Sequence, residues 1–171
     1  MRNVLFLCTA NSARSILAEA ILAKAGAGRF HSFSAGSKPR GQPNPLALQL
    51  LAAKGHDIDQ MRSKSWTEFA ADNAPPLHAV ITVCDNAKGE SCPIWPMNGD
   101  WGRPVQAHWG IPDPAGEGHD GSLADFELAY RRLTGRVTAM LALHEDALEP
   151  KAWRDALIRI GRESEGATGV D

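Results

Sequence analysis

The chain has 171 residues, 43% of them hydrophobic and 22% charged, with a net charge of −2, which fits one soluble globular domain with a single sizeable core. The near-neutral balance, with no basic block, speaks against nucleic acid and anionic membrane as partners, so any anionic ligand needs a local device to hold it. The N-terminal apolar run, Val4 to Leu7, is too short for a secretory signal, and no stretch approaches the roughly 18 apolar residues of a membrane span. A cytoplasmic, reducing location is expected. The three cysteines, Cys8, Cys84 and Cys92, are too few and odd in number for a structural disulfide framework there. They are either buried inert thiols or catalytic and redox ones, and composition does not choose.

Val4–Leu7 reads as a strand buried on both faces. Ser12–Lys24 reads as a helix with Ile16, Leu17, Ala20 and Ile21 on one face, stopped by Gly26 and Gly28. Phe30–Ser34 is a second strand. Asn44 and Pro45 mark a helix start, as N-cap and first helical residue, and that helix ends at Gly55. Ala79–Val83 is a further buried strand and Pro104–His108 a shorter one. Residues 85–121, rich in Gly, Pro and Asp, form the kind of long irregular stretch that is functional or mobile. Ser122 with Asp125 opens a long helix whose buried stripe is Phe126, Tyr130, Leu133, Val137 and Met140. Pro150–Ile160 is a last amphipathic segment, so residues 145–171 are expected to be a helical extension ending in a flexible tail. No apolar stripe is left over, and a single-domain monomer over residues 1–171 is expected.

Strands alternating with helices imply right-handed βαβ units and a parallel sheet. Ligands in such α/β sheets bind beyond the carboxyl ends of the strands, at a topological switch point. The turn after the first strand is the prime candidate, and Cys8 sits in it. Between strand and helix run Thr9, Ala10, Asn11, Ser12 and Ala13, whose successive amides can form an anion-binding nest at a helix N-terminus. Arg14 adds a planar fork suited to two oxygens of a tetrahedral oxyanion. The same field would lower the Cys8 thiol into the range of roughly 3.5–7.5, and Ser15 could hydrogen-bond its sulfur. The bland alternative is a buried Cys at a strand end. It leaves unexplained why nucleophile, positive field and oxyanion cradle coincide.

Cys8-x5-Arg14-Ser15 at a strand-to-helix turn resembles the signature loop of the low-molecular-weight protein tyrosine phosphatases, and equally that of the arsenate reductases built on the same fold. The resemblance spans about residues 3–144. It implies a three-layer αβα fold with a four-stranded parallel sheet. Asn11 matches the loop-stabilising Asn of the family, whereas Ala10 stands where the family usually has Gly, so a positive φ there would strain it. Three features resemble the reductases. Ala13 replaces the second loop Cys usual in phosphatases. The segment His108-Trp109-Gly110-Ile111-Pro112-Asp113-Pro114-Ala115 is similar to the reductase His-Trp-Gly before Asp-Pro, with Ala115 where phosphatases carry Tyr. Cys84 and Cys92 look like the reductase redox pair. A zinc site is the other use for these two thiols, but Cys-x7-Cys without a second compact pair has poor ligand spacing.

The resemblance implies that Cys8 attacks arsenate with Asp113 as general acid, Arg14 and the loop amides holding the oxygens. Cys84 then attacks Cys8, and Cys92 attacks Cys84. No bound cofactor or metal is implied. The external reductant is thioredoxin or a glutathione/glutaredoxin system. For Asp113 the bland alternative is a plain turn residue. In some reductases positions matching Asn11, Glu19 and Ser34 help hold a monovalent cation. Here the Lys64 ammonium could sit in its place and pair with Glu19, or Lys64 could be a solvated surface lysine. The competing functions are a phosphatase acting on phosphotyrosine or another phosphoester through Cys8, and a non-enzymatic redox-sensing or oxyanion-binding module.

Overall fold

A computed structural model describes residues 1–84, 89–116 and 121–166. In chain order the regular elements are β1 (Arg2–Cys8), α1 (Arg14–Ala25), β2 (Phe30–Gly36), α2 (Pro45–Ala53), β3 (Ala79–Thr82), β4 (Val105–His108), α3 (Leu123–Leu141) and α4 (Pro150–Gly166). Local signals set several of these boundaries. Asn44 Oδ1 accepts from the Leu46 amide with Pro45 in the first turn, which satisfies one of the donors a helix start leaves over. Ser122 and Asp125 form a reciprocal capping box at the head of α3. The helix expected from Ser12 begins at Arg14 instead, because Asn11 adopts φ 44° and the chain is still bending through Ala13.

The four strands form one parallel sheet in the order β2-β1-β3-β4. The α/β class and four-stranded parallel sheet expected from the resemblance are the ones found. The chain leaves β1 towards β2 on one side and returns to β3 on the other, so the switch point lies between β1 and β3. Leu7 pairs with Thr82, and the Val83 amide bonds the Leu7 carbonyl at 2.8 Å. This register sets Cys8 beside Val83, and Cys84 one residue beyond, at the carboxyl ends of neighbouring strands. The chain after β4 continues the pairing, with Trp109 N–H on the Thr82 carbonyl at 2.7 Å and Ile111 N–H on that of Val83 at 3.2 Å. Asp113 is thereby carried to the same rim.

Alternating strand residues feed two cores. Val4, Phe6, Ala79 and Ile81 join Leu17, Leu51, Leu133, Met140 and Leu157 beneath the helices. Leu5, Leu7 and Val80 face Phe69, Leu77 and Trp95, so the second face is covered, among the described residues, by the 3₁₀ turn Trp66–Phe69 and adjoining chain. α4 is integral to the first core. Trp153 is fully buried against Phe30 and Trp101, with ring centroids 6.1 and 5.9 Å away. A Cβ on Gly161 would collide with the His108 carbonyl, so glycine is what lets α4 lie this close to β4. Tyr130, expected in the buried stripe, is half-exposed because its hydroxyl reaches His56 Nε2 at 2.7 Å. Among the described residues no helix is long and apolar enough to cross a membrane.

Two histidines make the fold acid-sensitive. His78 Nδ1 accepts from the Asn3 amide at 3.0 Å, and a backbone N–H cannot reverse that bond. Burial, with Arg2 nearby, lowers His78 below the ordinary imidazole value of 6.5, and burial with Lys24 and Lys54 lowers His56 likewise. The unfolded chain therefore binds more protons below about pH 6.5, and stability falls as the pH drops from about 7 to about 5. Urea midpoints measured across that window should decline in the wild type and decline less steeply in His78→Gln, whose amide oxygen can still accept from Asn3.

Candidate active site

The loop from Cys8 to Ser15 is held from outside by its carbonyls. Thr9 O accepts from Lys38 N–H at 3.0 Å, Ala10 O from Arg40 N–H at 2.9 Å and Ser12 O from Asn44 N–H at 2.8 Å, while Ser63 Oγ adds a second bond to Ala10 O. With those carbonyls turned outward, the amides of Ala10, Asn11, Ser12 and Ala13 donate to no protein acceptor among the described residues. A run of unengaged amides at the head of α1 is what an anion nest requires. β2 closes over this loop so tightly that a Cβ on Gly36 would collide with Thr9 O.

Asn11, fully buried, fixes the loop's interior. The strain considered for Ala10 does not arise, since Asn11 is the only described non-glycine residue with positive φ, and Asn tolerates that region. Its Oδ1 accepts from the Lys64 amide at 2.8 Å. That assignment turns Nδ2 towards Ser15 Oγ at 2.8 Å and Ser34 Oγ at 3.0 Å. Ser15 Oγ thus already accepts a proton from Asn11, which leaves its own proton for Cys8 Sγ, 2.9 Å away. Ser34 in turn donates to Glu19 Oε2. Lys64 Nζ lies 3.8 Å from that carboxylate and 3.5 Å from Ser34 Oγ. Lys64 is 7% exposed, which rules out the solvated surface lysine.

The Cys8 thiol departs from the sequence expectation. Burial pushes it above its ordinary value of 9.0, and Cys84 adds to this, against the downward pull of the Ser15 hydroxyl and amide and of Arg14. Taking charge out of water is the larger influence here, and the Ser15 hydroxyl and amide and Arg14 oppose it. Arg14 donates to the Ile111 carbonyl at 3.1 Å, and its other terminal nitrogen lies 3.4 Å from Asp113 Oδ2. Asp113 Oδ1 accepts from the Ala115 amide at 3.0 Å. Arg14 and Asp113 therefore meet over the loop, Asp113 remaining 43% exposed and open to an incoming group.

Cys84 is fully buried, with Thr9 Oγ1 at 3.9 Å from its sulfur. Cys92 is half-buried against the Leu77 and Trp95 cluster, and all three cysteines are free. Between Cys84 and Cys92, residues 85–88 lie outside the described residues. No group of three His, Cys, Asp or Glu side chains that could hold a metal occurs among the described residues. Two contributors escaped the sequence reading. Arg136, 4% exposed, donates from α3 to the carbonyls of Trp109 and Gly110, and Trp109 Nε1 bonds Leu157 O at 2.9 Å. Together they anchor the segment that presents Asp113. Glu90 Oε1 accepts from Thr9 Oγ1 at 3.1 Å. The signal for Arg136 was an arginine amid the apolar stripe of α3; Glu90 had none.

Comparison with known proteins bears on this site. The model of the low molecular weight phosphotyrosine protein phosphatase family matches residues 3–151. An arsenate reductase of Brevibacillus brevis is 33% identical over 116 residues, covering 68% of this chain and 79% of that protein. One from Staphylococcus aureus is 32% identical over 116 residues, covering 68% and 81%. A solved arsenate reductase in the phosphate-binding state superposes with a TM-score of 0.65 at 28% identity, over 83% of this chain and 98% of that one.

Proposed function

The chain belongs to the low molecular weight phosphotyrosine protein phosphatase family, and from that premise we propose that it is an arsenate reductase. The observation that carries this reading over a phosphatase is the second buried sulfur, Cys84, brought beside the Cys8 loop by the pairing of β1 with β3. Ester hydrolysis has no use for it; a two-electron reduction does.

In this mechanism the arriving arsenate dianion lies on the loop amides and Arg14 and takes up the proton of Cys8. Ser15 steadies the thiolate as it attacks arsenic. Asp113 protonates the departing oxygen, which leaves as water. Cys84 attacks the Cys8 sulfur, the sulfur–arsenic bond breaks, and arsenite leaves with the electron pair. Cys92 then attacks Cys84 and frees Cys8, moving the disulfide to a half-buried position where an external dithiol can reach it. Thioredoxin and a glutathione/glutaredoxin system both fit that last exchange. The same reading makes the protein a single-domain, monomeric enzyme of the cytoplasm.

Steady-state arsenate reduction, coupled to NADPH through thioredoxin and thioredoxin reductase or through glutathione and glutaredoxin, tests the proposal, with para-nitrophenyl phosphate hydrolysis measured beside it. Turnover of arsenate with either couple is the expected result. Robust ester hydrolysis without arsenate turnover would reverse the assignment in favour of a phosphatase.

A further inference from the structure

Glu90 carries an arrangement that oxyanion binding does not need. Its Oε1 accepts from Thr9 Oγ1 at 3.1 Å, and its Oε2 is buried with no hydrogen-bond partner among the described residues. The same Thr9 hydroxyl lies 3.9 Å from Cys84 Sγ, within reach of a sulfur hydrogen bond. A hydroxyl has one proton to give, and an ionised carboxylate only accepts. With the Thr9 proton on Glu90, the sulfur contact has one polarity left: the Cys84 thiol donates to Thr9. A carboxylate touching an oxyanion cradle also repels its ligand, so binding alone gives it no reason to be there.

We propose that Glu90 is a positioning residue for thiol exchange, taking the Cys84 proton through the Thr9 hydroxyl. The inference rests on the reductase reading. As Cys84 Sγ bonds to Cys8 Sγ, the bond from Cys8 to arsenic breaks and arsenic keeps its electron pair. Arsenic falls from As(V) to As(III), and two thiol sulfurs become one disulfide. The Cys84 proton passes to Thr9 Oγ1 while the proton of Thr9 passes to Glu90, which returns it to an arsenite oxygen.

The test is arsenate turnover under saturating reductant, followed from about pH 6 to about pH 9, in wild type, Glu90→Gln and Glu90→Asp. Glutamine keeps an acceptor for Thr9 but cannot take a proton. Its kcat should fall roughly 100-fold near pH 7 and recover as the pH rises and hydroxide takes over, with the KM for arsenate not increased. Aspartate should restore part of the rate. Thr9→Val should show the same pH-dependent loss, and the double variant should be no slower than the slower single one. A wild-type rate in Glu90→Gln, a loss equal at every pH, a loss confined to KM, or losses that multiply would each overturn the inference. Wild-type protein that hydrolyses para-nitrophenyl phosphate and leaves arsenate untouched overturns the reductase reading before any variant is compared.

Discussion

Cys8→Ser is expected to abolish arsenate reduction and para-nitrophenyl phosphate hydrolysis alike, by about 10⁴-fold or more, whereas Cys84→Ser abolishes the first alone. A serine at position 8 keeps the Ser15 contact but ionises far less readily than a thiol, so the attack fails for every substrate. A serine at position 84 can sit in the same buried space beside Thr9 yet cannot form a bond to sulfur. The first adduct then forms but only water can resolve it, which returns arsenate, so no arsenite is released. Cys92→Ser should stop one step later, releasing a single equivalent of arsenite and trapping the Cys8–Cys84 disulfide. Rapid quench with arsenite quantification, and mass spectrometry of the trapped protein, separate the three cases. Arsenate reduction by Cys84→Ser at the wild-type rate would sink the relay and leave a phosphatase-like nucleophile with two idle thiols.

What was legible beforehand were features written into contiguous residues. The apolar run before Cys8, the cap at Asn44 and the capping box at Ser122 each carry their own hydrogen-bonding logic, and the structure keeps all three. Cys8, Arg14 and Ser15 were legible for the same reason, as a strand-to-helix turn brings its own residues together. What stayed hidden depends on chain distant in sequence. Residues 145–171 read as a helical extension ending in a tail, and the full burial of Trp153 could not be read there because Phe30 and Trp101 supply its pocket. Glu90 gains its meaning from Thr9, 81 residues away. Sequence shows the charges near the Cys8 sulfur but not how completely it is withdrawn from water, and burial pushes its thiol upwards.

Lys64 was legible from the resemblance as a possible cation for Glu19, with a solvated surface lysine as the alternative, and its removal should have the second large effect. It lies between Arg62 and Ser63 on one side and Ser65 on the other, a context that reads as surface. Its partner Glu19 comes from α1, with side chains only 6% and 12% exposed. Burial raises the Glu19 carboxyl above its ordinary 4.5, while Lys64 and Ser34 pull it back; burial lowers Lys64, with Glu19 opposing. Lys64→Met takes away the strongest pull on Glu19 and leaves a buried carboxylate without its paired ammonium, so a loss of about 3 kcal/mol is expected near pH 8. The loss should shrink at lower pH. With Lys64 gone the folded-state carboxyl is raised further above its unfolded value, so as the pH rises from about 5 towards 8 the unfolded chain gives up its proton more readily than the folded one, and stability falls across that window. Urea unfolding of wild type and variant at both ends of it measures the sign directly. Lys64→Ala, which also opens space, should recover stability with added potassium, whereas the wild type should be indifferent to it. Potassium-dependent stability in the wild type would remove Lys64 as the built-in cation. Through Ser34 and Asn11 the pair supports Ser15, so the same variants should also slow turnover by loosening the hydroxyl that holds Cys8.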